Sequence, residues 1–455
     1  MKKIFVNLVI TILTISIVSS CQKEKMNMDA NAPETLQTEQ KGMEGIKTSA
    51  LQYKALAEKN QQKTDVTLQV LKLKIETLKA EQSQRPDYKE LAKSSGESII
   101  RVPQDYPSLQ LAVDNSQPGG KIFIQGTVSE PGDVLVNKPG LTIQGQGSSP
   151  TINGSSLMIT AKNITVQNLN VNMAMVISGT SNAALMNCSI SATSNAGALA
   201  PLLFINSSNN AIKNCIIDGA YSGGTHEYGL YLDNLSNHNE IENCISKNTN
   251  GAWGPNSSAF GIDGANNNLK NCTALNFIRG FKSLGSNSKD NQFKGCVANG
   301  SISDAGFVFL LPDGNHFILE NCTANNNFGF GFFISGGSCN MTKCTANSNT
   351  ANANSPFGLG LFVLFGDFQI EKSTFMNNSS TGIVIYDLGP GYHTGTLEKN
   401  TTESNGKFGI YLLGLNNSAI KYNKSTGNPI CDFNQKNCSG NTLTGNNFGT
   451  ICTGL

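Results

Sequence analysis

Two short phrases nineteen residues apart, Gly261-Ile-Asp263 and Gly280-Phe-Lys282, each set an ionisable side chain two places after a glycine. A lysine amine becomes a usable base once its surroundings disfavour the charged form, and a carboxylate can hold a hard cation. Arg279, just before Gly280, has the planar fork that matches a carboxylate, although strict alternation along a strand turns it inward. Tyr231 and Asp233 lie upstream, after the turn residues His226 and Glu227. Lys282, Arg279 and Asp263 are the candidate charged groups of a site, and Tyr231, Asp233, His226 and Glu227 are the candidate binding residues beside them. The plainer alternative is a cross-strand ion pair between Asp263 and Lys282 on a solvated face, worth about 0.2–1 kcal/mol. His226 also reads more simply as a turn residue than as a base, as do His238, His316 and His393.

Repetition is what could bring these phrases together. An apolar residue, a spacer, Asn or another corner residue, then Cys recurs at Cys188, Cys215, Cys244, Cys272, Cys296, Cys322 and Cys344, at intervals of 27, 29, 28, 24, 26 and 22 residues. Ser373, Asn400, Asn423 and Asn446 continue the slot. A second phrase, Gly followed by an apolar strand, keeps step at Gly229, Gly261, Gly280, Gly306, Gly331, Gly360, Gly382 and Gly409. Each period has room for two or three short strands joined by Asn, Gly and Ser turns, and such a unit buries its apolar side only by stacking on its neighbours. The expected fold is all-β: a parallel β-helix of about ten coils, roughly 50 Å long at the ordinary strand spacing. The cysteines read as an inward stack of small hydrophobes and not as metal ligands, since only Cys339 and Cys344 lie close together and no His is near them.

Alternation from the glycines sets the wall. The residue after each Gly is apolar and should face in, so the next should face solvent. That outward column reads Tyr231, Asp263, Lys282, Val308, Phe333, Phe362, Val384 and Tyr411, with Asp263 and Lys282 side by side on adjacent coils. Asp233 and Tyr386 fall in a second outward column. The exposed aromatics would suit stacking on sugar rings, or would be covered by a loop or helix.

Upstream, Lys2 and Lys3 precede an apolar run from Ile4 to Val18 that ends Val18-Ser-Ser-Cys21. This has the flanks of a secretory signal over residues 1–20. Residues 21–47 read as a flexible tether. Residues 48–82 read as helical, with two apolar stripes, Val66, Val70 and Leu73, and Leu71, Ile75 and Leu78. This helix is a stalk, a self-associating coiled coil or a helix lying on the rod. Residues 83–98 read as a linker, and 99–455 as the β-helix, opened by a short helix at Leu109, Ala112 and Val113 after Pro107. Charged residues make up only 14% of the chain, Gly accounts for 46 of 455 residues and Trp253 is the single tryptophan, as suits a turn-rich β-rod. A net charge of +1 offers no field for nucleic acid. In an exported chain disulfides are permitted, and the expected bridge lies among Cys431, Cys438 and Cys452, outside the ladder.

The stretch from Ile99 to Gly147, with Lys138-Pro-Gly-Leu-Thr-Ile-Gln-Gly145, resembles the entry of the right-handed β-helix, or pectin lyase-like, superfamily, in which a short helix caps the first coil. Val18-Ser-Ser-Cys21 resembles a bacterial lipobox, which implies lipid on Cys21 and an outer-membrane anchor on the periplasmic or surface face. The Gly261 and Gly280 phrases resemble those of family nine pectate lyases. That resemblance implies catalytic roles for Lys282, as base, and for Arg279, orienting a carboxylate, with Asp263 as the metal ligand, for calcium, and a uronate polysaccharide as partner. It departs from the family pattern at Ser257-Ser-Ala-Phe260, where acidic residues would complete a calcium site. The expected protein is therefore a lipid-anchored β-helix that binds, and as a lyase cleaves, an acidic polysaccharide. The alternative is a non-catalytic adhesin or surface rod. A uronan epimerase is disfavoured, because Leu232-Asp233-Asn234 stands where an Asp-Pro-His phrase would be.

Overall fold

The computed structural model describes residues 62–81 and 99–453, apart from 193–198, 222–223, 250–256, 313, 352–356 and 388–392, together with Ala55 and Lys59. The signal segment, the tether, Cys21, the linker and Trp253 lie outside the described residues. From Ile99 onward the chain winds into a parallel solenoid of about 13 turns, each strand pairing with its equivalent one coil away. The count exceeds the expected ten because the first coils lack the Cys phrase. Leu169, for example, fills the thiol's slot after Asn168, and both residues are set as their Cys-coil counterparts are.

Side-chain alternation fills the interior. Leu230, Phe260, Phe281, Phe307, Phe332, Leu361, Ile383, Ile410 and Phe433 are successive partners in one inward column, each at most 1% exposed. The Cys phrase makes a corner. Asn187, Asn214, Asn243, Asn271 and Asn321 take left-handed φ of 51–54°, a conformation that Asn tolerates and most residues do not. The amides of Asn214, Asn243 and Asn271 each donate to the corner Asn one coil back, as from Asn243 to Asn214 at 3.2 Å. The following thiol then turns in, buried at all seven ladder positions. The polar continuation also holds: the Cys344 N–H donates to Ser373 Oγ at 3.0 Å, Ser373 N–H to Asn400 Oδ1 at 3.0 Å, and Asn400 N–H to Asn423 Oδ1 at 2.9 Å. Cys431 is bridged to Cys452, leaving Cys438 as a thiol.

Two helices complete the described structure. Helix α1, residues 62–81, lies on the rod, and helix α2, Leu109–Asn115, closes the first coil with Leu109, Ala112 and Val113 fully buried. The Ser108 side chain caps α2 by accepting from the Leu111 N–H. Of the two stripes on α1, that of Leu71, Ile75 and the partly buried Leu78, joined by Leu68, packs on Leu135, Met158, Val176, Leu203, Tyr228 and Tyr231. Val66, Val70 and Leu73 remain 61–70% exposed.

Two expectations are corrected. The outward column is not solvent-facing: Tyr231, Lys282, Val308, Phe333, Phe362, Val384 and Tyr411 are all at most 4% exposed. Nor does the glycine phrase place Asp263 beside Lys282. The ladder pairs Phe260 with Leu230 and Phe281, so the residue level with Tyr231 and Lys282 is Gly261. Ala259 is the occupant of the repeated glycine slot on that coil, where a side chain turns inward with little room. A Cβ at Gly280 would come within 2.5 Å of the Gly306 carbonyl oxygen. A shift of two residues leaves the in-and-out pattern unchanged, so alternation could not reveal it.

Candidate functional site

The corrected register builds a polar cluster on the outer wall at the end of the face that α1 covers. Gly261 leaves a gap in the outward column, since a Cβ there would meet Tyr228 Cδ1 at 2.5 Å and Tyr231 Cδ2 at 2.7 Å. The two tyrosine rings occupy that gap with centroids 4.4 Å apart. From the next coil Lys282 reaches across it, its ammonium 5.0 Å from the Tyr228 ring centroid and donating to the Tyr228 hydroxyl at 2.9 Å. The Tyr231 hydroxyl donates to Asp263 Oδ2 at 2.6 Å. Asp263 Oδ1 accepts from the Leu284 and Gly285 N–H groups at 3.0 and 3.1 Å. Asp263 thus sits in the turn after the strand Ser258–Ile262, diagonal to Lys282.

Arg279 points outward, because the backbone at Gly280 and Phe281 turns both of those residues in. Its Nε donates to Asp304 Oδ2 at 2.6 Å, with both side chains nearly buried. Glu227 ties the cluster to the helix: its Oε1 lies 2.8 Å from Lys63 Nζ, and its Oε2 accepts from Thr64 Oγ1 at 3.5 Å. Asp233 is used differently. Its Oδ1 accepts from the Asn206 N–H, the Leu235 N–H and the Ser236 hydroxyl, and its Oδ2 lies 3.7 Å from Lys72 of α1. His226 is 2% exposed, its N–H bonded to the Gly219 carbonyl oxygen. The structure therefore gathers Tyr231, Asp263, Lys282 and Arg279, with Glu227 at the rim, and uses Asp233, in the turn after Tyr231's strand, as a turn cap.

Burial governs the electrostatics. It drives the Lys282 amine down to about 8, helped by the neighbouring Arg279 guanidinium and opposed by Asp263, Glu227 and Asp304. Burial also raises the Asp263 carboxyl, against the Tyr231 and backbone hydrogen bonds and the charge of Lys282. The Tyr228 phenol is pushed up by burial and then by Asp263, while its hydrogen bond with Thr64 acts the other way. The arrangement offers a lysine that loses its proton readily, a phenol that keeps its own, and a guanidinium.

Calcium does not fit. A hard cation of that size takes six to eight oxygens, whereas three donors already occupy Asp263, and among the described residues no group of three His, Cys, Asp or Glu converges as a metal site would. Two participants escaped the sequence reading, Tyr228 and Asp304. Tyr228 would have followed from placing Ala259 in the glycine slot. A helix lying on the rod is one of the alternatives the sequence leaves open, and the structure selects it.

A model of the right handed beta helix region matches residues 203–363, 256–394 and 358–454, together more than half of the chain. The chain belongs to that family. This settles the architecture expected from the repeats. Among solved structures, the catalytic unit of a thermostable GH87 α-1,3-glucanase from Streptomyces thermodiastaticus is similar at 14% identity and a TM-score of 0.51, over 79% of this chain and 70% of that one. The periplasmic alginate epimerase AlgG is 10% identical over 79% and 84%, with a TM-score of 0.41. A mannuronic acid specific polysaccharide family 6 lyase from human gut microbiota is 12% identical over 76% and 82%, with a TM-score of 0.40. No curated protein matches the chain in sequence. At 14% identity the likeness to the glucanase shows the fold alone. Fold likeness alone assigns no activity.

Proposed function

We propose that this protein binds an acidic polysaccharide on the outer wall around Tyr228, Tyr231, Arg279 and Lys282, and cleaves it by β-elimination once α1 has moved off that wall. The observation that supports this reading is Lys282 itself, an amine lowered to about 8 and set against a phenol beneath a helix, not within the core. Removing charges from water costs several kcal/mol per ion. The same helix rests elsewhere on Leu135, Met158, Val176 and Leu203, so a purely structural cover could have been apolar throughout. In the reaction Lys282 takes the proton alpha to a uronate carboxylate. The electron pair forms a C=C bond as the glycosidic C–O bond breaks, and the leaving oxygen takes the Tyr228 proton. Arg279 pairs with the carboxylate, in the role that a cation would otherwise fill. Asp263 holds Tyr231, while Glu227 and Asp233 hold the helix. His226 supports the turn before Tyr228.

A second reading, a non-catalytic rod, is favoured by the existing pairing of Lys282, Asp263 and Arg279. The two separate when the chain is mixed with polygalacturonate or alginate and the ultraviolet absorbance of the new conjugated double bond is followed. Leu71→Asp/Ile75→Asp, which dislodges α1, should raise the rate at least about tenfold, and adding Lys282→Ala should abolish it. No product from either form, with glycan binding unchanged by Lys282→Ala, leaves the rod. The proposal includes export and a lipid on Cys21. Acyl labelling of the expressed chain should disappear in Cys21→Ser, and labelling that persists removes the anchor from the proposal.

A further inference from the structure

The strand Ser258–Ile262 opens on a side chain that the cluster leaves unused. The ladder sets Ser258 level with Tyr228 on one neighbouring coil and with Arg279 on the other, in the outward column that those two side chains share. Ser258 is fully buried, and among the described residues its hydroxyl has no hydrogen-bond partner. By contrast, the equally buried Ser246 donates to the Ala259 carbonyl oxygen at 2.8 Å and Ser425 to that of Asp432 at 2.6 Å. A hydroxyl buried without a partner costs about 1–3 kcal/mol. The same column holds an alanine one coil beyond Arg279, at Ala305, so an apolar occupant fits this wall and would avoid that cost.

Ser258 and Arg279 project from adjacent strands, roughly 4.8 Å apart at the ordinary spacing. Two donors at that separation suit the two oxygens of one carboxylate, each of which accepts more than one hydrogen bond. We infer that Ser258 is a further catalytic residue of the elimination, its Oγ donating to the uronate carboxylate that Arg279 pairs with; this rests on the reading of the site given above. When Lys282 takes the proton alpha to that carboxylate, the negative charge left on carbon spreads onto the carboxylate oxygens. A donor fixed against them therefore binds the transition state more tightly than the ground state. A neutral donor suits the place better than a further cation. The Arg279 guanidinium already lowers the Lys282 amine, and another positive charge would weaken the base further. Arg279 is itself partly balanced by Asp304 at 2.6 Å, which leaves part of the hold on the carboxylate to an uncharged group.

The test uses the full chain with α1 displaced, Leu71→Asp/Ile75→Asp, acting on polygalacturonate and on alginate. Adding Ser258→Ala should lower kcat by about 10²-fold and leave KM little changed, the pattern of an interaction made in the transition state. With α1 in place, Ser258→Ala alone should leave the melting temperature unchanged or raise it, since the hydroxyl it removes has no partner at rest. A rate that Ser258→Ala does not alter overturns the inference and leaves the role of Lys282 standing. So does a change confined to KM, because the donor would then hold substrate and transition state alike. A melting temperature that falls in Ser258→Ala also overturns it, since the hydroxyl would then be holding the resting wall together. If the α1-displaced chain forms no unsaturated product from either polymer, the elimination itself fails and this inference with it.

Discussion

Phe260, Phe281, Phe307 and Phe332 stack at 4.7–4.9 Å down the inside of four consecutive coils, while the adjacent outward column of the same strands reads Gly261, Lys282, Val308 and Phe333. Both columns use one hydrogen-bond ladder, and both are buried. Inside, each side chain meets its like above and below, so size and shape decide and the column is nearly uniform. Outside, each position meets whatever lies on the rod. The column passes from Leu135, Met158, Val176 and Leu203 under α1 to the tyrosines, Gly261 and Lys282 at the helix's beginning. A repeat thus prescribes its interior and leaves its outer wall free to differ coil by coil.

Phe281→Ala should break the inner column most severely. It removes a ring stacked on both sides, and denaturant unfolding should show a loss of about 3–5 kcal/mol. The outer column should respond instead to pH. In the folded chain Lys282 is lowered to about 8, by burial first and by Arg279 next, whereas an unfolded lysine stays near 10.4. Below pH 8 both states hold the proton and the native chain bears the full penalty of a buried ammonium. Between about 8 and 10.4 the unfolded state binds more protons, so stability should rise with pH by on the order of 3 kcal/mol relative to Lys282→Met, and level off above. A flat difference between the two proteins across that window would mean that the amine is hydrated. The smallest effect belongs to the rim. Lys63 is 72% exposed where it meets Glu227, so Lys63→Ala should change stability by less than about 1 kcal/mol and lose even that in high salt.

These contrasts explain what could be read from the residues alone. The Asn-Cys phrase was legible because a left-handed corner and a cramped interior each admit few residue types. The glycine phrase misled at one coil, since Ala259 is small enough for the slot and Gly261 lies two places on, on the face that alternation permits. The spacing therefore points Lys282 at Asp263, whereas the group it bonds is the Tyr228 hydroxyl. The two stripes of α1 were visible in its spacing, but which of them meets the rod depends on Leu135, Met158 and Val176, residues well over fifty positions away that no local pattern connects to it.

The file of seven thiols inside the rod has a further meaning. Each sits in a dry corner, as Cys322 does with its sulfur 3.3 Å from the Phe293 carbonyl oxygen, where neither oxidants nor alkylating reagents have a path. A coil that frays uncovers its own sulfur while its neighbours stay sealed. The order in which these cysteines become reactive therefore maps, turn by turn, where along its axis the molecule first comes apart.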